Sequence, residues 1–282
     1  MNFPEITRFA PSPTGYLHIG HAYAAFFAEK IARETGGRFI LRIEDIDKAR
    51  CKPELEEAIY EDLNWLGLKW DEPVRRQSDH LADYTSALKR LSNLKLTYPC
   101  FCTRKEINAE IQRAGGAPHI SEVSVYPGTC KFLTKTERRK RIHEGQGYAT
   151  RLDMTKAAEI TEELSWSDRG TGQQTANVIG FGDIIIARKD IPTSYHLSVT
   201  VDDALQGITL VTRGKDLAES TSIHRLLQSL LGYKAPQYAH HKLIKNSEGK
   251  RLSKRDHATS IRSLRAKGKK PKDILSMIGM DI

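Results

Sequence analysis

Along this 282-residue chain, short apolar runs alternate with stretches of helical spacing. Ile6 to Phe9 reads as a buried strand, and Ile19 to Glu34 as a helix with alanine and phenylalanine on its packed face. Gly36-Gly37 stops that helix. Arg38 to Ile43 then reads as a second strand ending in Glu44-Asp45-Ile46-Asp47, and helical stretches follow over Pro53 to Leu66 and Asp79 to Leu94. A strand-helix-strand-helix order predicts a parallel sheet with helices on both faces, whose ligands gather at the C-terminal strand ends.

From Tyr98 to about Ile191 the pattern changes. This stretch holds a cysteine cluster, the basic run Arg138-Arg139-Lys140-Arg141, and strand-like pieces at Tyr148 to Leu152 and Ile184 to Ala187. Alternation resumes with an apolar stretch near His196 to Val201, a strand at Ile208 to Thr212, a helix from Asp216 to Leu231 and a strand near Tyr238 to Ile244. The expected organisation is an α/β protein built on a Rossmann-type parallel sheet. Residues 1–97 and 192–245 would form its two halves, 98–191 an inserted α+β module, and 246–282 a lysine-rich loop with a short helical C-terminal segment. No internal repeat is present.

Thr14-Gly15-Tyr16-Leu17-His18-Ile19-Gly20-His21 carries the first candidate chemistry, as a strand-to-helix turn with two imidazoles where the helix begins. A helix N-terminus presents unpaired N–H groups and partial positive charge, so it suits phosphate, and the i, i+3 spacing puts His18 and His21 on one face. Helix capping or packing explains such histidines about as often. The common nucleotide motifs do not occur, since Gly170-Thr171-Gly172 and Gly180-Phe181-Gly182 both lack the third glycine and no G-x-x-x-x-G-K-[ST] is present.

Composition then narrows the class. With 39% hydrophobic and 28% charged residues the chain can bury a sizeable core. Lys plus Arg of 44 against Asp plus Glu of 35 gives +9, which favours a polyanionic partner, nucleic acid first. No apolar run is long enough to span a bilayer, and Met1 to Glu5 lacks the regions of a signal peptide, so a cytoplasmic protein is expected. Four cysteines suit a metal site better than a disulfide framework, because three cluster as Cys100, Cys102 and Cys130 while Cys51 stands apart. A structural zinc wants four ligands, leaving one position for Tyr126, His119 or water, of which His119 is the more orthodox donor; three buried free thiols are the alternative.

Taken together, His18-Ile19-Gly20-His21 and Arg251-Leu252-Ser253-Lys254 resemble the two signatures of class I aminoacyl-tRNA synthetases. Arg8 to Gly15, Arg42-Ile43-Glu44-Asp45-Ile46-Asp47, Tyr195-His196-Leu197 and Val201 to Gly207 further resemble the glutamyl and glutaminyl branch. The likeness covers nearly the whole chain. Because the sequence stops soon after the lysine loop, with no room for a helical anticodon-binding region, it is most similar to the short glutamyl-queuosine tRNA(Asp) synthetase family. Arg251-Leu252 departs from the lysine-loop pattern and leaves Lys254 in place.

The resemblance implies activation of L-glutamate with ATP, without tRNA, and transfer to the queuosine base of tRNA(Asp). His18, His21 and Lys254 would be catalytic, with Gly20 joining them around ATP and Mg²⁺ arriving with the nucleotide, held mostly by phosphate and water. Glutamate would meet Arg8, Phe9, Ala10, Pro11, Ser12, Glu44, Tyr195 and Arg213, the arginines suiting carboxylates and Glu44 the ammonium. The family pattern C-x-C followed by Y-x-x-x-C implies one structural Zn²⁺ on Cys100, Cys102, Tyr126 and Cys130, moving the fourth ligand from His119 to Tyr126.

Duller roles stand beside these: Arg8 pairing with Asp45 or Asp47, Glu44 capping a turn, Tyr195 in the core. His196, Asp202 and Asp203 are read as structural, and the basic runs at Arg138 to Arg141 and Arg262 to Lys272 as solvated faces or phosphate contacts. A monomer with no membrane partner is expected. The alternatives are a conventional glutamyl-tRNA synthetase charging a 3′ end, a non-catalytic RNA-binding paralogue and, remotely, a nucleotidyltransferase acting on a small molecule.

Overall fold

The first strand, β1 (Ile6–Phe9), feeds helix α1 (Ile19–Glu34) and then strand β2 (Arg38–Ile43), with the bounds that the hydrophobic pattern predicts. The structure is a computed structural model, and it describes residues 3–113, 125–244 and 259–280. β1 and β2 pair in parallel, Ile6 opposite Arg38 and Phe9 opposite Leu41. Helix α2 (Pro53–Trp65) opens on Pro53, whose fixed φ and missing N–H suit a first turn. The two-residue strand β3 (Arg75–Arg76) then pairs in parallel with β2.

Helix α3 (Leu81–Asn93) starts two residues later than the pattern predicts, behind a 3₁₀ turn at Gln77–His80. The Ser78 N–H and hydroxyl both donate to Asp45, at 2.8 and 2.5 Å, which draws that turn away from regular helix. Strand β4 (Thr97–Cys100), helix α4 (Arg104–Arg113), helix α5 (Lys135–His143), strand β5 (Ala149–Leu152) and helix α6 (Met154–Glu159) come next. They are followed by the hairpin of β6 (Ser165–Asp168) and β7 (Gly172–Thr175) and by strand β8 (Ile185–Ala187). The β4-β5-β8 strands form a separate antiparallel sheet.

The apolar stretch near His196 is helix α7 (Tyr195–Leu205), in which every residue from Leu197 to Asp203 is buried. A helix enclosed on all sides shows no one-sided periodicity. After it come strand β9 (Leu210–Gly214), helix α8 (Ser220–Leu230) and strand β10 (Gln237–His241). A 3₁₀ turn at Lys215–Leu217 delays α8 relative to its predicted start. β9, β10 and β6 are parallel neighbours and β7 closes the order β7-β6-β10-β9, so the 165–175 hairpin extends this sheet rather than the antiparallel one.

β1 lies beside β9, tied by the Thr209 N–H to the Ile6 carbonyl at 3.0 Å and by the Ile6 N–H to Thr209 Oγ1 at 2.8 Å. From β1 the chain crosses through α1 to β2 on one side; from β9 it crosses through α8 to β10 on the other. The gap beyond the carboxyl ends of β1 and β9 is therefore a topological switch point, where a parallel sheet opens a crevice. Helices α9 (Ile261–Ala266) and α10 (Pro271–Ile278) return to its rim. Ser260 bridges to His18, the Ile261 N–H donates to the Leu17 carbonyl at 2.8 Å, and Leu275 and Ile278 pack with Tyr23 of α1. Among the described residues no helix is long and apolar enough to cross a membrane.

Candidate functional site

At the switch point lies a cavity of about 620 Å³, lined by Arg8, Phe9, Ala10, Pro11 and Ser12 after β1, His18, Gly20 and His21 at the start of α1, Glu44 after β2, Tyr195 of α7 and Arg213 of β9. Every described residue expected to meet nucleotide or amino acid thus borders one space. Lys254 and His119 lie outside the described residues. Both flanks of the lysine segment reach the cavity, because Ile244 lines it and Ser260 is bridged to His18.

The two imidazoles are arranged differently from the expected shared helical face. His18 is the N-cap, with extended backbone (φ −120°, ψ 173°), and only His21 is within the helix. His18 Nδ1 accepts the Gly20 N–H at 3.1 Å and His21 Nδ1 accepts the His18 N–H at 3.1 Å, a reciprocal capping box made by two histidines. The rings stack obliquely with centroids 3.8 Å apart. With each Nδ1 accepting, each neutral imidazole carries its proton on Nε2, so one pair of rings caps the helix and borders the cavity. A Cβ at Gly20 would lie 3.0 Å from the His18 ring, so a side chain there would press on that imidazole.

Arg8 does not pair with Asp45 or Asp47. Its Nε and Nη2 donate to Asp203 at 3.0 and 3.3 Å, and its Nη1 to the Thr212 carbonyl at 2.9 Å. Asp203 also accepts Arg42 Nη1 at 2.8 Å, while Arg42 Nη2 reaches Glu44 at 3.2 Å. Asp45 is taken by Ser78, and Asp47 by Arg50 and Arg188. Burial opposes charge on Asp203, but Arg8 and Arg42 outweigh it and hold the carboxyl below its ordinary range. On Glu44 burial wins over Arg42 and Arg8, and its pKa is raised. Glu44 is therefore a buried acid that lacks one cationic partner, and a ligand ammonium would supply it. It does not cap a turn, and Tyr195 lines the cavity rather than the core.

Arg213 is supported by neutral groups. Nε donates to His240 Nε2 at 3.1 Å, Nη2 to Thr221 Oγ1 at 2.6 Å, and Nη1 lies 3.0 Å from His224 Nδ1. His196 stands behind His224 at 3.1 Å, and Asp168 behind His240 at 2.7 Å. Sequence reasoning missed His224 and His240, gave Arg42 no role of its own, and left His196 and Asp203 as structural. Arg42, Asp203 and His196 lie inside the family-like motifs, which do not show what they hold, and His224 and His240 lie in none of them.

Cys100, Cys102 and Cys130 bring their sulfurs within 4.8 Å of one another, with Cys102 and Cys130 3.4 Å apart. The Tyr126 oxygen lies 3.4 Å from Cys100 Sγ and 3.8 Å from Cys102 Sγ and accepts the Cys130 N–H at 2.8 Å. Zn–S bonds of ~2.3 Å in a tetrahedron put ligand atoms roughly 3.8 Å apart, so the donor set fits such an ion. Burial and neighbouring thiols push Cys102 up to about 12, whereas Tyr126, Arg151 and the local backbone overcome burial at Cys100 and lower it. Arg151 sits 3.6 Å over the Tyr126 ring. Cys51 is remote from this cluster, its thiol raised by burial, Asp45 and Asp47.

Comparison with known proteins gives the arrangement a lineage. Residues 6–280 match the model of tRNA synthetases class I (E and Q), catalytic domain. A glutamyl-Q tRNA(Asp) synthetase from Rhodobacter capsulatus is 49% identical over 98% of this chain and 100% of its own length. A glutamate–tRNA ligase from Aquifex aeolicus is 40% identical over 96% of this chain and 56% of its own. The crystal structure of a glutamate tRNA ligase from Elizabethkingia meningosepticum in complex with its amino acid superposes with a TM-score of 0.82 at 29% identity, over 98% of this chain and 60% of that one. With a family match spanning nearly every residue and a relative of equal extent at 49% identity, the chain belongs to the class I tRNA synthetases of the E and Q type.

Proposed function

We propose that this ligase activates L-glutamate with ATP, without needing tRNA, and transfers it to the queuosine base in the anticodon loop of tRNA(Asp). The observation that carries the reading is the single cavity joining a histidine-capped helix start to Arg8, Glu44, Tyr195 and Arg213. Glutamate has one ammonium and two carboxylates, and the cavity wall has one buried carboxylate short of a cation and two guanidinium groups. The 49% identity to a glutamyl-Q tRNA(Asp) synthetase over 98% of this chain and all of that one supports the queuosine acceptor.

In the first step an oxygen of the α-carboxylate attacks the α-phosphorus of ATP, the bond to the β-phosphate breaks, and pyrophosphate leaves. His18 and His21 with the α1 N-terminus face the phosphates, and Lys254 supplies a further cation as negative charge grows on the departing oxygens. Mg²⁺ arrives with ATP. No nucleophilic side chain is required: an acceptor hydroxyl attacks the mixed anhydride and AMP leaves. Cys100, Cys102, Cys130 and Tyr126 would hold one structural Zn²⁺, bracing β4 against the loop before α5. The enzyme would act as a monomer in the cytoplasm, with the zinc bracing the β4-β5-β8 sheet of the inserted stretch, apart from the 165–175 hairpin that joins the main sheet.

Glutamate-dependent exchange of pyrophosphate into ATP without tRNA tests activation, and its absence would leave a non-catalytic paralogue. Labelled glutamate and aspartate tRNA with and without queuosine then test the acceptor. Label on the base supports the proposal; label on the 3′ end of glutamate tRNA supports conventional charging, which the 40% identity to a glutamate–tRNA ligase favours as the second reading.

A further inference from the structure

Arg8 and Arg213 face the same cavity on opposite kinds of support. The Arg8 fork closes on a carboxylate, Asp203, at 3.0 and 3.3 Å. Arg213 rests on two imidazoles and a hydroxyl, and among the described residues no salt bridge joins it to a carboxylate. A guanidinium has donors only, so each imidazole nitrogen that it touches must accept. His240 therefore carries its proton on Nδ1, directed at Asp168 Oδ2 2.7 Å away. His224 carries its own on Nε2, directed at His196 Nδ1 3.1 Å away, which leaves the His196 proton on Nε2. Burial, together with the Arg213 charge, holds His224 and His240 below their ordinary range and His196 down at about 4, so all three are neutral at neutral pH.

These hydrogen bonds orient the guanidinium without cancelling its charge, and two of its five N–H donors are left for a ligand. A carboxylate at either imidazole position would orient Arg213 equally well but would neutralise it. In glutamate activation the α-carboxylate must be given up to phosphorus, so the carboxylate that can stay on an arginine throughout is that of the side chain. A neutral amide there would leave the guanidinium buried without a counter-ion.

We propose that His224 and His240 are specificity-determining positioning residues that hold Arg213 as an un-neutralised cation, so that the cavity takes an amino acid with an anionic side chain and rejects its neutral amide. This rests on the reading of L-glutamate as substrate.

Asparagine Oδ1 stands where histidine Nδ1 stands, and aspartate has the same shape with a charge, so His224→Asn and His224→Asp separate support from neutralisation. Pyrophosphate exchange is measured for L-glutamate and L-glutamine, with folding followed by thermal unfolding. His224→Asn is expected to keep the glutamate KM and the glutamate-over-glutamine ratio of kcat/KM within about 3-fold of the parent. His224→Asp is expected to raise the glutamate KM by on the order of 10- to 100-fold, change kcat far less, and cut the ratio at least ~10-fold. Should His224→Asp not fold, His240→Glu against His240→Gln makes the same comparison at the second acceptor. Parental KM and ratio in a folded carboxylate variant would overturn the proposal, as would equal loss of selectivity in the neutral and charged variants. A parent enzyme without glutamate-dependent exchange would refute the substrate reading itself and this inference with it, whereas an active parent with an indifferent His224→Asp refutes only the inference.

Discussion

Replacing Asp203 with asparagine keeps the shape of a side chain and removes the charge that two arginines share. Asp203 accepts Arg8 Nε at 3.0 Å, Arg8 Nη2 at 3.3 Å and Arg42 Nη1 at 2.8 Å, and Arg42 has no solvent exposure. In the variant Arg42 still has Glu44 at 3.2 Å, Asp202 at 3.8 Å and Gln206 Oε1 at 3.0 Å, while Arg8 keeps the Thr212 carbonyl at 2.9 Å and at most a neutral amide oxygen at position 203. Removing one partner of a buried ion pair costs ~3–5 kcal/mol, and the partners left to Arg42 put the loss near the lower end, about 3 kcal/mol. At ~2–4 °C per kcal/mol for a chain of this size, the thermal midpoint should fall by roughly 6–12 °C. The arginines hold Asp203 below the ordinary carboxylate range, so the stability that it contributes is complete at neutral pH and is lost as acid titrates the native carboxylate. Circular dichroism against temperature and urea measures both. Glu34→Gln, which breaks the exposed Lys30–Glu34 pair at 3.8 Å, is the control and should cost under about 0.5 kcal/mol. An Asp203→Asn protein melting within about 2 °C of the parent, with an unchanged urea m-value, would refute the claim that this carboxylate compensates two buried cations.

Other consequences follow from single groups. Glu44→Gln should raise the glutamate KM in pyrophosphate exchange at least ~10-fold with a smaller change in kcat, since the amide cannot pair with an ammonium. Cys100→Ser should lower zinc, measured by atomic emission, from about one per chain toward zero and loosen the β4-β5 region in hydrogen exchange; full zinc content in the variant would remove Cys100 from the ligand set. Asp62 on α2 is 1% exposed, neither carboxylate oxygen has a hydrogen-bond partner, and burial pushes it up to about 6. The native state therefore retains a proton that the unfolded chain loses between pH ~4 and 6, so the ionised group destabilises fully above that window and not at all below it. Asp62→Asn should accordingly stabilise by up to about 3 kcal/mol at pH 7.5 and by nothing near pH 4, as read from urea midpoints.

The sequence is most legible where one face of an element is apolar. The ends of α1 follow directly from such a face, whereas β1 and β2, buried on both faces, are short runs set off by the Gly36-Gly37 break and the polar Glu44-Asp45. Helix α7 gave no such signal, being buried all round, and the β6-β7 hairpin has mostly polar, exposed positions in its second strand. The cavity residues carry their chemistry in residue type, so Arg8, Glu44 and Arg213 could be named from motif resemblance. Their partners could not. Arg8 meets Asp203 across 195 positions and Arg213 meets His240 across 27, distances that no local spacing encodes. The cysteine cluster was visible because C-x-C fixes two ligands locally, whereas the place of Tyr126 depends on how the chain returns after α4.

Arg42 shows why these partners matter. Glu44 must be anionic to receive an ammonium, yet it is buried, and burial favours the neutral acid. A cation directly behind it solves half of that difficulty and creates another, because a guanidinium given wholly to Glu44 would satisfy it and leave nothing for a ligand to complete. Arg42 is instead divided among Glu44, Asp202 and Asp203, all of which raise its own pKa against the opposing effect of burial. Glu44 thus receives only shares of the Arg42 and Arg8 charges, enough to lower the cost of ionising and too little to bring its pKa back to the ordinary value. An arriving ammonium supplies the remainder, so ligand binding and loss of the Glu44 proton are linked events, and affinity must weaken as the pH falls through that raised pKa. Arg213 is the mirror case: a cation placed on neutral imidazoles so that an arriving carboxylate completes it. On the proposed substrate the cavity would discriminate at both ends by the same device, a charged group oriented by its surroundings and left short of one opposite charge.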